Sequence, residues 1–151
     1  MSIEIFVLSD RRLNSIQEWQ SAIDNEGFNL KLDRSRPIAE LRGYLPAKCK
    51  GSEAGFECDH FDAAEIMEET PDIDFDRPWK QCLAFRFGGD FMALWGATAA
   101  AAAYARATDG VVYDGESGEI LAPERAVKQA RDLEKSIPEM LALVNRLAAP
   151  K

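Results

Sequence analysis

Cys58-Asp59-His60, with Cys49 nearby, is the closest this sequence comes to a metal or nucleophile constellation. Zinc sites take four ligands in paired short spacings, and a catalytic thiol needs a separate base and a group to orient it. The chain has one histidine. It lies two residues from Cys58, so a strand would point both side chains the same way, about 6 to 7 Å apart. A buried cysteine beside a hydrogen-bonded histidine is therefore the preferred reading, and neither catalysis nor a metal is assigned to the group.

A second candidate is the run of acids that contains Glu65, Glu68, Glu69, Asp72, Asp74 and Asp76. Asp72-x-Asp74-x-Asp76 has the odd offsets of a calcium loop but lacks its central glycine and its glutamate at the twelfth position, and Arg77-Pro78 follows instead. A solvated acidic face, or one kept for a cationic partner, is the better reading. Gly88-Gly89 ahead of a helix has the look of a phosphate-binding turn. The further glycines or lysine of such a turn are absent, and Asp90 puts negative charge where phosphate would sit. No cofactor is implied. Trp19, Trp79 and Trp95 have no interleaved bases, so they read as core or interface and not as a base-stacking platform.

The charge distribution sharpens the second candidate. Between Gly51 and Lys80 there are ten acids and two bases, which accounts for the whole net charge of -8, while the rest of the chain holds 16 of each sign. A field of one sign over one fifth of the chain attracts a cationic partner or a metal and repels nucleic acid.

The elements that must position these residues centre on Cys82 to Tyr113. Cys82–Phe87 reads as a buried strand, Asp90 to Thr108 as an alanine-rich helix capped by Asp90 and stopped at Gly110, and Val111–Tyr113 as a strand. This strand, helix and strand order is that of a crossover. The small residues from Ala97 to Ala105 let another element approach closely. Thr98, Tyr104 and Arg106 interrupt the apolar run, which is shorter than the ~20 residues of a membrane span. Ile3–Leu8, a helix over 13–26 with Asp10 or Asn14 as its cap, and Phe28–Leu32 repeat the strand, helix, strand order.

Gly55 to Phe61 alternates as a strand, Ala63 to Glu69 is a short acidic helix ended by Pro71, and a hairpin follows Tyr113. The last helix, over 123–147, is kinked or restarted at Pro138 and packs on its own sheet or on a second copy, so a homodimer is one outcome. The expectation is a single α+β domain over residues 1–151. Its architecture is two layers, a mixed sheet of five or six strands with helices mainly on one face, in a ferredoxin-like or split arrangement. Three cysteines without framework spacing, and an initial apolar run too short for a secretory signal and carrying Glu4, lead to the expectation of a cytoplasmic protein.

Gly43-Tyr44-Leu45-Pro46, leading to Gly51-Ser52-Glu53-Ala54-Gly55-Phe56-Glu57, and Ala103-Tyr104-Ala105 with Thr108-Asp109-Gly110-Val111-Val112-Tyr113-Asp114 carry a resemblance. They resemble small bacterial proteins encoded beside secreted polymorphic or contact-dependent toxins, many of which are immunity factors. The resemblance implies a protein that neutralises a toxin domain by binding it. It names no catalytic residue. Combined with the charge, it leads to the expectation of a cationic protein partner, with no role for nucleic acid or membrane. The expected partner surface is Glu65, Glu68, Glu69, Asp72, Asp74 and Asp76, with Tyr44, Phe75 and Trp79 as anchoring contacts. The alternative is a metal-assisted hydrolase using the carboxylates of residues 57–76.

Overall fold

A computed structural model describes residues 3–148. β1 (Ile3–Ser9) is its centre. On one side it pairs with β7 (Gln81–Phe87), aligning Ile5 with Phe85, and on the other with β8 (Val111–Asp114), aligning Val7 with Val112. Ile5 and Val7 face one core, Phe6 and Leu8 another. A strand covered on both faces needs apolar groups at every position, which is why Ile5-Phe6-Val7-Leu8 reads as a continuous run and not as an alternation.

The main sheet has six strands in the order β3-β6-β7-β1-β8-β9, where β3 is Tyr44–Leu45, β6 is Phe56–Asp62 and β9 is Ile120–Leu121. Every neighbouring pair is antiparallel, although a mixed sheet was expected. The reason is that β7 and β8, joined by α3 (Phe91–Thr108), do run parallel to each other but have β1 between them. The crossover is therefore a split unit. The first strand, helix and strand do not make a second one, because β2 (Leu30–Leu32) leaves for a three-stranded sheet with β4 (Ala47–Cys49) and β5 (Ser52–Glu53).

α1 (Ile16–Asn25), α3 and α4 (Pro123–Ala148) pack on one face of the main sheet, here called the front. α1 is capped by Ser15 and not by Asp10 or Asn14: Ser15 Oγ accepts the Glu18 N–H at 2.9 Å, and Glu18 Oε1 accepts the Asn14 N–H at 2.7 Å. Ser15 and Glu18 thus cap the helix start in the manner of a capping box, with the return bond made one residue earlier, on Asn14. α3 is apolar all round, with Ala97 and every residue from Ala99 to Ala105 buried, because it lies between the sheet, α1 and α4. Asp90 caps it through the Met92 N–H at 3.2 Å. Asp109 takes the left-handed turn at its end, and the Gly110 N–H returns to the Ala105 carbonyl at 2.8 Å. Gly96 lets α3 lie against β4, since a Cβ there would sit 2.6 Å from Cys49 Sγ. α4 runs through Pro138 as one element. Among the described residues no helix is long and apolar enough to cross a membrane.

Candidate partner-binding face

The other face of the main sheet, the back, is covered by α2 (Ala63–Glu69) and the loop that follows it. α2 begins where β6 ends. Ala63 is fully buried, its N–H bonded to the Lys80 carbonyl at 3.2 Å. Ile66 and Met67, three and four positions on, lie against the sheet. Glu65, Glu68 and Glu69 therefore point outward and are exposed. Ile73, Phe75 and Trp79 turn inward from the loop, so Asp72, Asp74 and Asp76 turn out. The acidity of this segment is the solvent side of a cover whose other side is core.

That geometry corrects two of the expected anchors. Phe75 is 4 % exposed and stacks edge-on to Tyr113 at 5.2 Å, and Trp79 is 8 % exposed, its indole N–H bonded to the Phe75 carbonyl at 2.9 Å. Both hold the loop to the sheet and are closed to a partner. Arg77, which lies over the Trp79 ring and pairs with Asp10, pins the same loop. Tyr44 is exposed, but it sits opposite Glu57, six residues along the chain from the start of α2, or about 20 Å in an extended strand. It belongs to a different hollow, beside Lys31 and Lys48.

What the sheet adds to the acidic cover is a cleft of about 250 Å³ between α2 and the back face. Phe6 and Ala84 form its floor, with Phe61 and Ile66 as walls. Carboxylates of Glu4, Asp59, Glu65 and Glu69 stand round it, together with Arg86. Arg86 sits between Glu57 and Glu4 in the strand register and pairs with Glu4 at 3.5 Å. Asp59, Glu65 and Glu69 have no ion pair among the described residues. Glu4 and Asp59 come to the cleft from strands fifty-five positions apart, and only their place in the alternation of β1 and β6 hints at them in the sequence.

Cys58 and His60 do point the same way, to the front. The expected hydrogen bond to His60 is absent: neither ring nitrogen has a partner among the described residues. Burial, with Arg12 adding to it and Asp59 opposing, lowers the imidazole pKa to about 4. Burial pushes the Cys58 thiol well above its ordinary range and that of Cys49 up to about 11, the reverse of what a nucleophile requires. Asp74 Oδ1 accepts the Asp76 N–H at 2.9 Å, and Asp76 has a left-handed φ of 71°. Among the described residues no group of three or more histidines, cysteines or acids is placed to hold one metal ion.

The chain matches no protein-family model, no curated protein and no solved structure.

Proposed function

We propose that this is a cytoplasmic binding protein that takes a cationic protein partner on its back face, with neutralisation of a toxin domain as the specific form of that activity. The observation that carries the reading is the set of carboxylates without cationic partners among the described residues, Asp59, Glu65 and Glu69, standing round a cleft with an apolar floor. A lysine or arginine suits such a site: its aliphatic stem lies along Phe6, Ala84 and Ile66 while its charged head reaches the rim. The outer acids of α2 and the loop extend the field, which speeds encounter with a basic surface and is screened beyond about 8 Å at physiological salt. A toxin whose own active surface is basic would be covered by the same contact. The resemblance to proteins encoded beside toxins points the same way.

The test is protection. Cells producing this protein should survive expression of the toxin domain encoded beside it, and cells producing a variant with Glu65, Glu68, Glu69, Asp72 and Asp74 changed to lysine should not, at equal levels of folded protein. Asp76 is left alone because a lysine would be strained at its positive φ. The exchanged acids are exposed, so folding should change by less than about 0.5 kcal/mol per site, except at Asp74, whose carboxylate accepts the Asp76 N–H and whose loss should cost about 1 kcal/mol. Equal protection by both proteins would move the site off this face. No protection by either would remove toxin neutralisation.

A further inference from the structure

We infer that the cationic partner binds as an extended strand added to the outer edge of β6, with basic side chains alternating with uncharged ones. This deepens the function proposed above and rests on it. β7 pairs with Glu57 to Asp62, but on the other side β3 pairs only with Phe56 and Glu57. The Cys58 N–H still reaches the Gly43 carbonyl at 2.9 Å. There the ladder stops, because Gly43, at a φ of +75°, bends the chain away and gives its own N–H to Asp59 Oδ1 at 3.1 Å in place of the Cys58 carbonyl. The direction of the Cys58 bond fixes the rest. The N–H and C=O of His60 and the N–H of Asp62 face outward from the sheet, and none finds a partner among the described residues.

Other edges of the two sheets are either covered by a side chain or short. Gln20 bonds the Leu30 carbonyl and the Leu32 N–H, both at 2.8 Å, and so stands in for a strand beside β2. Arg36 does the same for β3 through the carbonyls of Arg42 and Tyr44. β5 and β9 are two residues long. Against that background the open run on β6 is a place for strand addition.

The side chains beside this edge select the occupant. A cleft of about 340 Å³ lies along it and shares Asp59, Phe61 and Glu65 with the back-face cleft. Phe61, 44 % exposed, and those two carboxylates meet the side chains that an added strand directs to the back, which suits lysine or arginine. Toward the front the neighbours are Arg12, Arg42, the neutral ring of His60 and the Asp62 carboxylate, so two guanidiniums face one acid and the balance disfavours a second row of cations. A strand with cationic residues at every second position satisfies both faces.

The probe is a labelled eight-residue peptide alternating lysine and valine, with a glutamate and valine peptide as control. Hydrogen exchange of the parent protein should show the His60 and Asp62 amides slowed at least ~10-fold by the lysine peptide, with the Asp59 and Phe61 amides, which face β7, unchanged. Asp62 already has a φ of -72° and follows an extended residue, so Asp62→Pro removes one edge donor without bending the chain. It should bind the lysine peptide at least ~5-fold more weakly than Asp62→Ala, which loses the same carboxylate but keeps the N–H. Binding of the lysine peptide with no change at those amides, or equal binding by the two variants, would overturn strand addition and leave the acidic face standing. If the lysine peptide binds no better than the glutamate peptide, the cationic reading itself fails and this inference with it. The exchange measurement uses the parent protein and holds even if the proline variant does not fold.

Discussion

An imidazole whose two ring nitrogens both lack hydrogen bonds costs the fold something that a phenyl ring in the same place would not. Among the described residues His60 is in that position, and its pKa near 4 lies below the ~6.5 of an unfolded chain. Between those values the unfolded chain holds the proton and the folded one does not, so stability falls as the pH drops from about 6.5 toward 4. His60→Phe should be at least as stable as the parent at pH 7 and should lose less melting temperature on going to pH 4.5. Equal losses in thermal melts would show that the ring takes up its proton freely in the fold. The sequence placed Cys58 and His60 on one face correctly, since alternation requires it. It could not show the missing hydrogen bond, because the groups near the ring, Arg12 and Arg42, come from distant segments.

α3 was legible almost to the residue, from Asp90 to Thr108, because its signals are local: a side-chain cap, a run of the best helix former and a stop. The element with least room to change is therefore also the best predicted. Ala101 is 1 % exposed at a close approach, so Ala101→Leu should overpack it and cost roughly 1 to 3 kcal/mol, read as a lower urea midpoint. An unchanged midpoint would mean the neighbouring helices slide apart without penalty. Where partner choice was needed the sequence said less. β2 looks like any half-buried strand, and its departure to the small sheet depends on pairing with Lys48, seventeen positions from Lys31. Phe75 is a different case. Asp72-Ile73-Asp74-Phe75-Asp76 alternates as a segment lying on a core does, so the pattern that drew attention to the acids also assigned Phe75 to the inside.

At the scale of the molecule, three helices on the front and a thin acidic cover on the back make two cores that share one sheet. The charge excess of residues 51–80 was visible in composition, but that six of its acids share one cover over one face depended on the fold. Both cores are built from side-chain packing. Thermal melts with and without chelator and reductant should coincide, and a shift above ~5 °C, on the order of 1 kcal/mol, would contradict that. Cys49, Cys58 and Cys82 are free and buried, with the Cys82 thiol pushed up to about 12 by burial. A thiol reagent should therefore label all three only as fast as the protein unfolds, which mass spectrometry can follow.

The central place of β1 also sets the order in which the chain can fold during synthesis. Its two partners lie at residues 81–87 and 111–114, so a ribosome working at about 5–20 residues per second exposes Ile5-Phe6-Val7-Leu8 for roughly 4 to 15 s before the first partner strand exists. Until then a strand that will be enclosed on both faces stands unpaired in the nascent chain. Contacts this far apart in sequence also make the domain a slow folder for its size, whatever its final stability.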